Sequence, residues 1–201
     1  MKLETYTTFD DVLLVPQYSD IQSRSEVTLV SELSEDLELR VPIISAPMDT
    51  VCGEMMAGRL SEFGALGIIH RYNTIETQSE MVSAASNKGL KNVGAAIGIT
   101  GDYLERATAL IDAGASVLCL DVAHGDHVLM HVGAHKIVDA FGDKVHVMAG
   151  LLWHTLELIV CVLELVEAQS ALPAFRQDTE CPLLHQFLIV LRQKKSFLTL
   201  K

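Results

Sequence analysis

The sequence predicts an α/β protein built on a parallel β-sheet, and two observations carry this prediction. Short apolar segments alternate with helix-like segments along residues 41–150. The apolar segments are apolar at nearly every position, which indicates strands buried on both faces rather than strands with one face in water. A regular strand–helix repeat with short loops leaves two architectures open, a doubly wound sheet and a (βα)8 barrel.

Each predicted element has its own local signal. Apolar runs predict five strands, at Val41–Pro47, Ala65–His70, Asn92–Gly98, Ser116–Gly125 (a strand together with its loop) and Lys144–Gly150. Helical spacing closed by a glycine predicts four helices between them, at Glu54–Gly64, Thr74–Gly89, Asp102–Gly114 and His127–Gly142. Thr74 is expected to cap its helix. A further apolar run at 152–169 predicts one more helix, which breaks the alternation.

Composition narrows the class of protein. The 201 residues carry a net charge of -11, and phosphate contacts need clustered Lys and Arg, so we expect no nucleic-acid partner. The four cysteines form no CxxC pair, which argues against a zinc site or a disulfide framework. The N-terminus lacks an apolar signal segment, and the most apolar run carries Glu157 and Glu164. We therefore expect a cytoplasmic protein without a membrane partner.

Polar side chains follow successive predicted strands, at the ends where parallel α/β proteins place their chemistry. These residues are Asp49, His70, Arg71, Asp102, Asp121, His124 and Asp126. No metal site is expected, because His127 and His131 have helical spacing and no third ligand is fixed. The chain also has no GxGxxG segment after its first predicted strand and no Walker loop, which weakens the doubly wound nucleotide-binding alternative.

Four segments in order resemble the IMP dehydrogenase and GMP reductase family. They read "FDDVLLVPQYSDIQSRSEVTL", "VPIISAPMDTV", "GALGIIHR" and "VLCLDVAHGD", and the resemblance runs from Thr8 to Gly150. It implies a (βα)8 barrel, a purine nucleotide substrate (GMP or IMP), a nicotinamide cofactor and a homotetramer. Only five predicted strands are present, so we expect an incomplete barrel domain over 1–150 and a tail unlike the family over 151–201.

The resemblance also implies binding residues. "QSRSEV", "LDVA" and the arginine of "IIHR" look like GMP reductase, whose cofactor is NADPH. The cofactor-facing positions so implied are Ser23, Arg24, Arg71, Asp121, Val122 and Ala123. Met48 is implied to pack on the purine, with Ala46 beside it. "SAPMDTV" and "FDDVLL" look more like IMP dehydrogenase, which uses NAD, so this branch stays open as the alternative.

The family's nucleophile has no counterpart in this sequence. In the family, a cysteine thiolate on a glycine-rich loop attacks C2 of the purine. GMP reductase then releases ammonia and takes hydride from NADPH, whereas IMP dehydrogenase passes hydride to NAD. Neither Cys161 nor Cys181 stands in such a loop. No catalytic residue is therefore assigned, and we expect a chain without turnover, a non-catalytic fragment of a purine nucleotide oxidoreductase.

We consider a shifted reading frame as the explanation of the missing loop. In the codons for Leu156 to Pro182, the third base of each codon can be read together with the first two bases of the next codon. Read in this frame, they can encode "GADCVRVGVGGGSICSTRISTGHGVP". That string has the glycine-rich loop and its cysteine in order, with wobble bases chosen to fit. We hypothesise that residues from about Leu152 onward are translated out of frame.

Overall fold

The computed structural model describes residues 15–16, 18–34, 37–86, 89, 92–123, 125 and 127–151. These residues fall into two units, one ending at Thr28 and the other beginning at Leu29. The first unit contains a short 3-10 helix, Arg24–Glu26, which begins with a capping box: Ser23 Oγ accepts from the amide of Ser25, and the Glu26 carboxylate accepts from the amide of Ser23. Apart from Leu151, the predicted tail over 151–201 and its helix at 152–169 lie outside the described residues, so the division at residue 150 stays a prediction.

The second unit contains a parallel sheet with helices between its strands. The strands described in this unit are β1 (Ser31–Ser34), β2 (Leu37–Leu39), β3 (Gly67–Ile69), β4 (Val93–Ile97), β5 (Val117–Val122) and β6 (His146–Leu151). Strands β1 and β2 form a separate antiparallel pair. The helices of the unit are α1 (Glu54–Phe63), α2 (Ile75–Ser86), α3 (Tyr103–Asp112) and α4 (Val128–Phe141). Strands β3 to β6 pair in sequence order, all parallel. The predicted fold class, an α/β partial barrel, is confirmed.

The first predicted strand is shorter than the sequence indicated. Of Val41–Pro47, only Ile44 forms a bridge, parallel to Leu66. The amide of Ser45 donates to Leu66 O and the amide of Leu66 donates to Ile43 O, at 3.0 Å each. Prolines at 42 and 47 lack the amide hydrogen that a longer ladder would use, which accounts for the short pairing.

Helix ends follow the local signals. Gly64 closes α1 in the left-handed region at φ 79°, where a residue without a Cβ is least strained. Thr74 caps α2, because its Oγ1 accepts from the amide of Thr77 at 3.2 Å. None of the helices in the described ranges is long and apolar enough to cross a membrane.

The two faces of the sheet are covered differently. Leu118, Leu120 and Val147 belong to a cluster with the helices, whereas Val117 and Cys119 of the same β5 strand belong to a second cluster. That second cluster includes Leu37 and Leu39 from the β1–β2 hairpin. Side chains of a strand alternate between faces, so each strand contributes to both cores.

The hairpin closes the amino-terminal end of the sheet, and sequence inspection missed it. Ser34 Oγ lies 3.1 Å from His146 Nδ1 at the start of β6. The side-chain amide of Asn92, just before β4, donates to Glu38 O at 3.2 Å. Strands of four and three residues are too short to give a periodic signal.

A close approach of α1 to β3 generates a stability prediction. A Cβ added to Gly67 would overlap the Cα of Ala57, a backbone atom that cannot move aside alone. We expect Gly67→Ala to lower the free energy of unfolding by about 1–3 kcal/mol, the usual cost of overpacking. Urea denaturation followed by circular dichroism measures this change.

Gly58→Ala is the matched control for this prediction. A Cβ there would meet Ala85 O of α2 at 3.8 Å, an ordinary van der Waals contact between the two helices. Alanine favours the helix over glycine by about 0.5–1 kcal/mol, so stability should hold or rise. Equal losses in both variants would contradict the assigned approach of α1 to β3.

The first turn of α2 generates a pH prediction. The backbone amide of Glu76 itself, and then the Thr74 hydroxyl, hold the pKa of the Glu76 carboxyl below its ordinary value of 4.5. Ionised Glu76 therefore stabilises the fold above pH 4.5, and this contribution is lost as the pH falls through the lowered pKa. We expect Glu76→Gln to lower Tm at pH 7 and to match the parent chain in acid.

Thermal unfolding at a series of pH values measures the difference. The same substitution in a Thr74→Ala background provides the control, because the hydroxyl that favours the ionised form is then missing. The pH-dependent part of the difference should shrink there. A difference in Tm that stays constant across the acid range would contradict the assignment.

Candidate functional site

The carboxyl ends of the parallel strands bring Arg71 and Asp121 together. Arg71 follows β3, and its Nε lies 3.1 Å from Oδ2 of Asp121 in β5. The Asp121 side chain is 7% exposed and the Arg71 side chain 36% exposed. Asp121 continues the alternation of Val117 and Cys119, so it lies on the face of the sheet opposite the helices. We name these strand ends, with Arg71 and Asp121, the carboxyl edge.

The residues flanking Arg71 order the loop that follows β3. His70 is buried, and its Nδ1 accepts from the amide of Tyr72 at 3.3 Å. The amide of His70 donates to Cys52 O. The Arg71 guanidinium lies 5.5 Å from the centroid of the Tyr72 ring, which is itself well exposed. The edge thus combines a cation, a carboxylate and an accessible aromatic ring.

Ala46 and Met48 lie in the turn that leads into α1. Ala46 is buried, and Met48 is partly buried. The Met48 carbonyl accepts from the amides of Val51 and Cys52, and the Cys52 carbonyl in turn accepts from His70. This chain of hydrogen bonds places the turn beside the end of β3. Burial raises the pKa of the Cys52 thiol, so this thiol is protonated at neutral pH and is not an activated nucleophile.

Val122 and Ala123 directly follow Asp121 in the chain, but their side chains have different surroundings. Val122 packs against the helix-side core, on the face opposite Asp121, and Ala123 is exposed after the strand ends. Ser23 and Arg24 belong to the first unit, where they form the 3-10 helix and its cap. His124 and Asp126 lie outside the described residues. The roles of all these residues toward a cofactor stay predictions.

Sequence inspection missed two polar residues behind the carboxyl edge. Gln78 in α2 is fully buried, and its Nε2 donates to Ala96 O of β4 at 2.8 Å. Arg106 in α3 donates to Gln78 Oε1 at 2.8 Å. A glutamine at a buried helix position and an arginine one turn into α3 give no local signal, because polar residues on helices usually face solvent.

The pair at the carboxyl edge generates a stability prediction. Removing Arg71 leaves a nearly buried carboxylate without its cation, whereas removing Arg59 breaks a more exposed pair with Glu62. We expect Arg71→Met to cost about 1–3 kcal/mol and Arg59→Met no more than about 0.5 kcal/mol. Chemical denaturation of the two variants measures both values. Equal costs would contradict a structural role for the Arg71–Asp121 pair.

Comparison with known proteins identifies the family of this chain. A model described as "IMP dehydrogenase / GMP reductase domain" matches residues 6–158, more than half of the chain. An inosine-5'-monophosphate dehydrogenase of Nitrosopumilus maritimus is 45% identical over 44% of this chain and 19% of its own length. One from Methanocaldococcus jannaschii is 33% identical over 82% of this chain and 32% of its own length.

Relatives of the other branch also match. A GMP reductase of Leishmania donovani is 44% identical over 37% of this chain and 15% of its own length. The chain thus spans no more than about a third of the length of these three curated relatives. The match of the family model, over an α/β partial barrel, establishes that the chain belongs to the IMP dehydrogenase / GMP reductase domain family.

Proposed function

We propose that this chain carries the nicotinamide-binding strand ends of a purine nucleotide oxidoreductase, with Arg71 and Asp121 toward the cofactor. The observation that carries the proposal is their ion pair at the carboxyl edge, formed by residues 50 positions apart. Active sites of barrel enzymes lie at this end of the strands. The remaining proposed cofactor positions are Ser23, Arg24, Val122 and Ala123.

The residues present suit a dinucleotide. The guanidinium of Arg71 engages Asp121 through Nε, and its Nη1 lies near Gly98 at the end of β4. A half-exposed guanidinium binds anionic groups, and the exposed Tyr72 ring offers a surface on which a flat heterocycle can stack. When bound, the cofactor supplies or accepts the hydride. Met48, with Ala46 beside it, is proposed to pack on the purine.

GMP reductase, with NADPH as cofactor and GMP as substrate, is the main proposal for the branch. It rests on the "QSRSEV" and "LDVA" segments and on the basic residue Arg71 after His70. IMP dehydrogenase, with NAD and IMP, is the alternative. It rests on "SAPMDTV" and on the relative named as such that is aligned with 82% of this chain.

The 201-residue chain is proposed to bind the nicotinamide cofactor and the purine nucleotide without catalysing a reaction between them. The sequence contains no glycine-rich loop bearing a cysteine, and the two cysteines that the structure describes, Cys52 and Cys119, are buried. Without a cysteine thiolate on that loop, no covalent adduct at purine C2 forms, and the hydride transfer has no intermediate on which to act. The chain then acts as a non-catalytic, ligand-binding fragment located in the cytoplasm.

Titration of the purified chain with NADPH and with NAD, followed by ligand fluorescence or calorimetry, tests the proposed function. We expect binding of at least one cofactor and a loss of about tenfold in affinity for Arg71→Ala, the size of one charge-assisted hydrogen bond. Arg59→Ala, on the exposed face of α1, is the control and should bind as the parent does. Preference for NADPH favours the reductase branch, and preference for NAD favours the dehydrogenase.

Absorbance at 340 nm measures turnover in the same samples. We expect neither NADPH oxidation with GMP nor NADH production with IMP. A rate proportional to chain concentration that disappears in a Cys161→Ala, Cys181→Ala double variant would contradict the non-catalytic proposal. Sequencing of the transcript across the codons for Met148 to Cys161 tests the shifted frame directly. If the transcript contains bases there that the present reading lacks, the correct frame encodes the cysteine loop.

A further inference from the structure

A buried amide joins α2 to the ends of two strands. Gln78 is completely buried, and its Nε2 donates to Ala96 O at 2.8 Å and to Ile69 O at 3.5 Å. Ile69 is the last residue of β3 and Ala96 the next to last of β4. These two carbonyls stand immediately before the carboxyl edge. The Gln78 amide therefore fixes the point at which each strand becomes a loop.

Arg106 holds that amide in one orientation. Its Nη1 donates to Gln78 Oε1 at 2.8 Å, and its side chain is only 11% exposed. A guanidinium donates and never accepts, so Oε1 must face Arg106 and Nε2 must face the strand carbonyls. If the amide were rotated by 180°, two carbonyl oxygens would face Oε1 and two donors would face each other.

The same guanidinium also anchors the far side of the β3–α2 loop. Nη2 of Arg106 donates to Asn73 O at 3.2 Å and lies 3.4 Å from Oδ2 of Asp102. Asn73 follows Tyr72, whereas Ile69 precedes His70. The two hydrogen-bond anchors therefore bracket the three residues 70–72. Asp102, at the start of α3, links the loop after β4 to the same cation.

We infer that Arg106 is a positioning residue for the proposed cofactor site: through Gln78 and Asn73 it holds the 70–72 loop so that Arg71 meets Asp121. The inference rests on the proposed function of the carboxyl edge and adds to it a residue that touches neither partner of the ion pair. The planar guanidinium of Arg106, with its donors in fixed directions, is needed because Gln78, Asn73 and Asp102 each place an acceptor on a different side of it. A lysine keeps the charge but has no fixed fork.

Arg106→Lys tests the inference, with Arg59→Lys as the matched control on an exposed site. The first readout is the NADPH dissociation constant of the full chain. The second is exchange of the Arg71 Nε proton, followed by nitrogen-15 NMR, which reports the contact with Asp121 without any ligand. We expect Arg106→Lys to raise the dissociation constant and to speed this exchange, each about tenfold. Arg59→Lys should change neither.

A second variant separates positioning from general loss of stability. Ile137→Val removes a methylene from the core of α4, remote in sequence from the β3–α2 loop, and lowers Tm by cavity formation. At temperatures matched for stability, this variant should retain the slow Arg71 Nε exchange. Equal exchange rates in Ile137→Val and Arg106→Lys would overturn the inference, as would unchanged exchange in Arg106→Lys.

The two proposals fail in different ways. If the parent chain binds neither NADPH nor NAD, the proposed cofactor function is wrong, and the exchange measurement alone decides whether Arg106 positions Arg71. If the parent chain binds cofactor and Arg106→Lys binds equally well with fast Arg71 exchange, Arg106 orders the loop without serving the site. That result would overturn the positioning role and leave the proposed function intact.

Discussion

Parallel pairing of β3 to β6 is the constraint on which the rest of the structure depends. Parallel neighbours require a crossover between them, and here each crossover is a helix on one face of the sheet. That face becomes the larger core. The opposite face needs its own cover, and the β1–β2 hairpin supplies it at the amino-terminal end. The carboxyl ends are then gathered at one edge, where polar residues from separate strands meet.

The carboxyl edge is ordered from behind by a buried polar network. Gln78 and Arg106 use side chains of two helices to hold strand carbonyls and a loop carbonyl in place. Such a network is stable only when its members are satisfied, since a buried polar atom without a partner is costly. The network therefore couples the stability of the α2–α3 pair to the geometry of the Arg71 loop.

Membership in the family and the content of the chain point to different conclusions about activity. The matched region includes the described carboxyl edge, which carries the proposed cofactor contacts. The nucleophile of the family belongs to a later, glycine-rich loop, which is not present in the 201-residue sequence. In the proposed function, binding and catalysis depend on different segments of the barrel, so the loss of the cysteine loop leaves the proposed cofactor contacts in place.

The sequence by itself determined the order and type of the main elements, since apolar runs, helical spacing and closing glycines are local signals. It also identified Arg71 and Asp121 as strand-end residues. Only the tertiary structure decided that these two side chains meet while Val122 turns to the other face, because strand register fixes which side chains share a face. The roles of Gln78 and Arg106 were likewise decided by packing, since their contacts join residues 18 to 33 positions apart and follow no sequence period.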